Sequence, residues 1–492
     1  MKKISIFFVF LSFILISCSS DVTTPEADNF QKLKLQITEI FDDPRFDNAF
    51  WGVLIKSLKT DEVWYARNPD KLFMPASNEK IPTTSTALLT LGPDFTFTTT
   101  LAYTGKIQDS VLSGDLIVWS NGDPTMYNKF FSNPREVFWS WADYLKKLGI
   151  KKITGNIIGD DNAFDNEPLG DGWSFDGLDV WYSAEIGPLQ INENCVDLKI
   201  IPPDIISEPV QVIPNLQSNY YSITKDITIS DSGRTSINVT RKFGTNDILI
   251  RGNVVKSGNE FERTPSITNP TLFYVTVLKE TLEEKGIQIV GKPTDCDEIQ
   301  NFDDEYIEQT LVIEHQSPLL KDILSGLMKR SQNLYAETMT KVVGWNEYAY
   351  GSFRNGKKVV EATLEKMGIE KETYQYSDGS GLTRYNYISP EQIVKILTYM
   401  IKSEYSQIWY DILSIAGVDG TLRNRMRGTK CEGNVHGKTG TISNVRALSG
   451  YVTTIDGEML VFSFLVNSYL APSSATEEIT DSVLELLANF KR

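Results

Sequence analysis

The chain has 492 residues, 41% hydrophobic and 23% charged, an ordinary globular composition with room for a sizeable core and roughly two to four domains. Acidic residues outnumber basic ones 64 to 48, for a formal charge of −16, which excludes a protein that works by neutralising a nucleic-acid backbone. Two histidines, His315 and His436, and four widely separated cysteines, Cys18, Cys195, Cys296 and Cys431, offer no zinc-ligand spacing, so neither a metal nor a cofactor is expected.

Lys2 and Lys3 precede an apolar run over residues 4–16, about two-thirds of a bilayer-spanning helix, so residues 1–17 read as a secretory signal peptide. The run ends Leu15-Ile16-Ser17-Cys18, which resembles the lipobox of bacterial lipoproteins. That resemblance implies a lipid on Cys18, a membrane anchor in the bacterial envelope facing the periplasm, and a Ser/Thr/Asp/Pro/Glu-rich tether over 18–29. No later stretch approaches about eighteen uninterrupted apolar residues. Cys195, Cys296 and Cys431 read as small buried apolar residues.

Helical spacing over 31–41 is followed by two strands, 51–55 and 63–66, around the polar turn Lys59-Thr60-Asp61. The C-terminus mirrors this, with strands 448–453 and 459–466 flanking Asp456-Gly457 and a periodic helix over 476–490. Both ends thus supply antiparallel strands and a covering helix, and one sheet built from them closes a domain over everything between. Residues 101–264 are instead short alternating stretches (116–119, 153–158, 196–201, 210–213, 248–251) broken by Gly, Pro, Asn and Asp. Helical periodicity returns over 272–285, 318–330, 333–343, 357–367 and 391–402. The expected class is α+β: an antiparallel sheet flanked by helices, from 30–100 and 265–492, with a β-rich insertion over 101–264.

Three segments carry chemistry. Pro75-Ala76-Ser77-Asn78-Glu79-Lys80 places Lys80 three residues after Ser77 at the mouth of a helical stretch over 81–91, one turn along the same face. A desolvated lysine there can act as base for the hydroxyl. Ser331-Gln332-Asn333 lies between two helical stretches and supplies a second hydroxyl and an amide. In His436-Gly437-Lys438-Thr439-Gly440-Thr441, small residues let a substrate backbone lie alongside, Lys438 offers a cation for a carboxylate, and backbone N–H groups suit an oxyanion. Only three residues separate Gly433 from Gly437, against four in a phosphate-binding loop, which demotes nucleotide binding.

S-x-x-K, S-x-N and K-T-G in that order resemble the signature of penicillin-binding proteins and serine β-lactamases. The chain resembles the D-alanyl-D-alanine carboxypeptidase/endopeptidase type, low-molecular-weight class C, peptidase family S13. Further family-like segments are Gly122-Asp123-Pro124-Thr125, Gly159-Asp160-Asp161, Asn192-Glu193-Asn194, Asp378-Gly379-Ser380-Gly381-Leu382 and Gly417-Val418-Asp419-Gly420-Thr421-Leu422. About half of the chain lies between Ser77 and Ser331, more than a compact β-lactamase uses, and a serine opens the second motif where the cephalosporinase branch has tyrosine.

The resemblance implies a β-lactamase/transpeptidase-like domain carrying the insertion. It also implies acyl transfer from peptidoglycan stem peptides: Ser77 attacks, Lys80 takes its proton, and the amides of Ser77 and Thr441 hold the oxyanion. Ser331 passes a proton to the leaving amine, Asn333 orients substrate and lysine, and Lys438 with Thr439, Gly440 and Thr441 binds the terminal carboxylate. β-Lactams are the expected inhibitors. A serine β-lactamase and a non-catalytic envelope scaffold remain the alternatives, and trimming of terminal D-alanine is not separated from cutting of cross-links. The proximity of Lys80 and Lys438 is expected to lower the pKa of the less solvated one. Asp378-Gly379-Ser380-Gly381 reads as a turn near the cleft, and the insertion's aromatic residues as its own core.

Overall fold

The computed structural model describes residues 25–302 and 308–492, with side chains from 29 onward; the expected leader and Cys18 lie outside the described residues. The chain's two ends meet in a six-stranded antiparallel sheet, in the order Ser414–Ile415, His436–Ile442, Val445–Thr453, Met459–Asn467, Phe50–Ser57 and Val63–Arg67. Phe464 pairs with Val53 on one side and Leu448 on the other, which fixes the register between the termini. Both faces are covered, so Phe50–Ser57 and Met459–Asn467 are buried almost throughout rather than alternately.

On one face lie the terminal helices Pro25–Phe41 and Ser473–Asn489, whose Leu33, Ile37, Phe41, Ile479, Val483 and Leu487 share a core with Val53 and Phe464. The first of these helices starts at Pro25, so residues 25–29, expected in the tether, form its opening turn; proline at a helix start needs no amide partner. On the other face, Leu54, Tyr451 and Val461 pack with the helices Lys80–Leu91, Asn333–Tyr348 and Pro390–Lys402. No helix among the described residues is long and apolar enough to cross a membrane.

Between Leu91 and Leu320 the chain builds a second body. A five-stranded sheet runs Pro293–Asp295, Ile157–Asp160, Leu116–Ser120, Thr98–Tyr103, Thr310–Gln316, beside one four-stranded and two three-stranded sheets. Strand pairing here runs from Thr98 through Gln316, beyond the expected junction at 264. The helix Pro270–Glu284, assigned above to the sheet formed by the termini, buries Phe273, Tyr274, Val277 and Leu278 with Leu116, Ile157 and Ile250 of the insertion. Helical periodicity reports an apolar face but not which core receives it. Residues 153–158, read as one stretch, divide at Gly155 into Lys152–Ile153 and Ile157–Asp160, which join different sheets. The helix Glu136–Lys147, which buries Phe138, Trp141 and Leu145, was not expected in this region. Phe138 and Tyr274 meet edge to face in the insertion's core. Cys195, Cys296 and Cys431 are buried, and no disulfide joins them among the described residues.

Candidate active site

Ser77 lies in a single 3-10 turn, Ala76–Glu79, that feeds the helix Lys80–Leu91. Ala76 enters it with φ of 46°, a left-handed backbone unfavourable for a non-glycine residue. The turn is held from both sides by glycine. A Cβ on Gly381 would stand 1.8 Å from the Ala76 carbonyl oxygen, and one on Gly440 would stand 2.7 Å from the Pro75 carbonyl oxygen and 3.1 Å from the Ser77 nitrogen. Only bare backbone fits at either approach.

Lys80 is fully buried, and its Nζ has three neighbours: Ser77 Oγ at 3.1 Å, Asn333 Oδ1 at 2.6 Å and the Ser380 carbonyl at 2.6 Å. The Asn333 amide is oriented because its Nδ2 donates to the Tyr182 carbonyl at 2.7 Å, leaving Oδ1 toward the lysine. Asn333 Oδ1 and Ser380 O can only accept. A neutral Lys80 therefore spends its two N–H groups on them and turns its lone pair to the Ser77 hydroxyl.

The second motif straddles a helix junction. Ser331 closes the helix Leu320–Arg330 in a left-handed conformation, φ 58°, and Asn333 opens Asn333–Tyr348. The third motif is the strand His436–Ile442, which disposes of the phosphate-loop alternative, since the next element is the strand Val445–Thr453 and not a helix. Lys438 Nζ donates to Ser331 Oγ and to the Thr439 carbonyl, both at 2.8 Å, and Asn78 Nδ2 donates to the Lys438 carbonyl at 2.9 Å. Thr439 Oγ1 donates to Thr421 Oγ1 at 2.7 Å, and Thr441 is exposed farther along the same strand. Ser77, Lys80 and Asn333 thus form one hydrogen-bonded set and Ser331 and Lys438 another, tied together by Asn78, the residue after Ser77, on the Lys438 carbonyl, with Gly440 against the Ser77 amide.

Three buried acids that the sequence reading gave no role surround Lys80. Glu79 precedes it; Glu337, on the Asn333–Tyr348 helix, accepts from the amides of Gly379 and Ser380, both at 2.9 Å; Asp378 accepts from the amides of Gly381 and Thr383, from Asn386 Nδ2 and from Trp173 Nε1. The Asp378-Gly379-Ser380-Gly381 turn lies at the cleft as expected, and it presents a carbonyl to the lysine. Trp173 belongs to the insertion, so its aromatic residues do more than fill their own core.

Burial pushes Lys80 down to about 7, outweighing the pull of Asp378, Glu337 and Glu79. Burial likewise raises Glu337 to about 8, with Asp378 adding to the effect, and holds Glu79 well above the carboxylate range. Lys438 is lowered well below an ordinary lysine, by burial first and by Lys80 second. Loss of water, more than repulsion between the two lysines, therefore weakens both as bases.

Residues 33–490 match the D-Ala-D-Ala carboxypeptidase 3 (S13) family. The chain is 29% identical to a D-alanyl-D-alanine carboxypeptidase of Actinomadura sp. (strain R39), over 98% of this chain and 89% of that one. It is 28% identical to the D-alanyl-D-alanine carboxypeptidase DacB of Haemophilus influenzae, over 95% and 94%. The crystal structure of penicillin binding protein 4 (dacB) from Haemophilus influenzae superposes with a TM-score of 0.79 at 26% identity, covering 92% of this chain and 99% of that one. A second structure of that protein, complexed with a β-lactam, superposes with a TM-score of 0.73 over 92% and 100%. With the family's match extending from the first terminal helix to the last, the chain belongs to the D-Ala-D-Ala carboxypeptidase 3 (S13) family.

Proposed function

We propose that the protein is a serine-type D-Ala-D-Ala carboxypeptidase that acts on peptidoglycan stem peptides through an acyl-enzyme and is blocked by β-lactams. The observation that carries this reading is the placement of Lys80 Nζ 3.1 Å from Ser77 Oγ with its other neighbours restricted to acceptors.

Ser77 Oγ attacks the carbonyl of the penultimate residue while Lys80 takes the hydroxyl proton. The oxyanion is met by the amides of Ser77 and Thr441. As the C–N bond breaks, Ser331 Oγ gives a proton to the departing nitrogen and is reprotonated with the proton Lys80 took from Ser77. Lys80 is then neutral again for the attacking water, while Lys438, the 2.8 Å partner of Ser331, keeps its charge for the carboxylate. Lys438, Thr439 and Thr441 hold the terminal carboxylate along the strand edge, and Gly440 lets the substrate backbone approach. Water then attacks the ester and releases the shortened peptide. The same acyl-enzyme serves cross-link cleavage when the leaving amine belongs to a second stem peptide. The relative bound to a β-lactam supports acylation by that class, and the length of the insertion supports a peptidase over a β-lactamase. A lipid on Cys18, read from Leu15-Ile16-Ser17-Cys18, would hold the enzyme at the periplasmic surface of the envelope, close to its substrate.

The test is covalent labelling by a fluorescent penicillin together with D-alanine release from a synthetic pentapeptide. Ser77→Ala loses both; stoichiometric labelling of that variant removes Ser77 from its role, and labelling of the native protein without D-alanine release makes it a scaffold.

A further inference from the structure

Three consecutive residues of the insertion, Asn192, Glu193 and Asn194, have φ of 54°, 53° and 53°. Asparagine tolerates the left-handed region because its side chain can bond to nearby backbone, and both asparagines do so, to the carbonyls of Cys195 and Glu185. Glutamate has no such local compensation, so contacts elsewhere hold Glu193 there.

Those contacts all reach the second motif. Glu193, 7% exposed, accepts from Arg330 Nη1 at 2.6 Å and Nη2 at 2.9 Å through separate oxygens, and from Gln332 Nε2 at 2.6 Å. Arg330 and Gln332 flank Ser331. The Arg330 guanidinium also lies 5.5 Å from the ring centre of Tyr127, a second residue of the insertion. The insertion touches Asn333 as well, through the Tyr182 carbonyl. Ser331, itself left-handed, is thus gripped on both sides by side chains converging on one carboxylate, and its Oγ is left facing Lys438.

We infer that Glu193 is a positioning residue for Ser331: through Arg330 and Gln332 it fixes the hydroxyl where a proton can pass to the leaving group, which makes the insertion part of the catalytic apparatus. This rests on the acyl-transfer reading above. A bidentate guanidinium clamp constrains direction as well as distance, which a proton relay requires.

The experiment compares a peptide substrate, whose amine must be protonated to leave, with the matching thioester, whose thiolate leaves without a proton. Glu193→Gln lowers kcat/KM for the peptide at least about tenfold, within the range general-acid catalysis supplies, while KM moves less than about twofold and thioester turnover falls less than about threefold. Arg330→Lys, which keeps the charge but not the fork, shows the same selectivity with a smaller loss and covers the case in which Glu193→Gln does not fold. Equal losses on both substrates, or peptide turnover at the native rate, overturn the inference. Penicillin labelling of Ser77 in the same samples separates that outcome from failure of the acyl-transfer reading.

Discussion

Lys80 Nζ and Ser77 Oγ are 3.1 Å apart, yet the lysine's two shorter contacts, 2.6 Å each, go to Asn333 Oδ1 and the Ser380 carbonyl. The arrangement gives the amine a direction. Two acceptors from two separate elements take its protons, so the lone pair is aimed at the one neighbour able to donate.

The acylation step should therefore follow the neutral fraction of Lys80. Lys80 stands at about 7 in the free site, so the limiting acylation rate at saturating penicillin should climb about tenfold per pH unit while the lysine of the complex is protonated and level once it is neutral. The sign is fixed because the base is the deprotonated form, which accumulates as pH rises. Stopped-flow labelling at a series of pH values reads this directly; a flat profile, or one that falls through neutrality, rejects Lys80 as base. Lys80→Ala should lower the plateau by about 10² to 10⁴.

Asp378 pulls in the opposite direction from burial, stabilising the charged lysine. Asp378→Asn removes that pull, so the acid limb of the same profile should move to lower pH. The cost is folding stability, since an amide in place of the carboxylate presents N–H groups to donors such as the Gly381 and Thr383 amides. A loss of about 1–3 kcal/mol in denaturant unfolding is expected. A limb that moves to higher pH contradicts the electrostatic assignment.

The pairing of chain ends, the helix carrying Lys80 and the three motifs were legible in the sequence because each is written locally. Spacing of three puts Lys80 one helical turn from Ser77, whereas the strand His436–Ile442 that bears Lys438 was read only as a motif, because HGKTGTI carries no apolar alternation. Glu337, Asp378 and Glu193 were not legible as site residues. Glu337 looks like any glutamate on a helix and Asp378 like any turn residue, until residues forty positions apart are folded against each other. Asn192-Glu193-Asn194 stood out as a segment, but its partner Arg330 lies 137 positions away. The junction at 264 failed for the same reason: the helix Pro270–Glu284 has an apolar stripe that either core could bury.

Gly440 provides a test confined to the groove. Its missing side chain leaves the Pro75 carbonyl and the Ser77 nitrogen in place, and a methyl group 2.7 Å from the first and 3.1 Å from the second must displace one of them. Neither is the far end of a flexible side chain, so Gly440→Ala moves the nucleophile turn against the strand. Acylation should fall at least about a hundredfold, the scale on which small displacements act on oriented groups. Native acylation by Gly440→Ala would mean that the strand and the turn need no close contact.

Binding of the carboxylate should itself take up a proton. Without substrate, Lys438 is held well below an ordinary lysine by burial and by Lys80, which favours its uncharged form. An arriving carboxylate favours the ammonium form and raises that pKa again. Peptide affinity should then rise as pH falls, by at most about tenfold per unit, with uptake approaching about one proton per peptide. Calorimetry on Ser77→Ala, which binds without turnover, in two buffers of different ionisation enthalpy measures the uptake independently of chemistry. Lys438→Met should abolish it and weaken binding of the carboxylate peptide roughly 10- to 150-fold, the worth of a hydrogen bond to a charged group, while sparing the corresponding C-terminal amide. Binding with no proton uptake in the Lys438 enzyme would mean that the lysine is already charged before substrate arrives, and that the strand greets the carboxylate with a preformed cation.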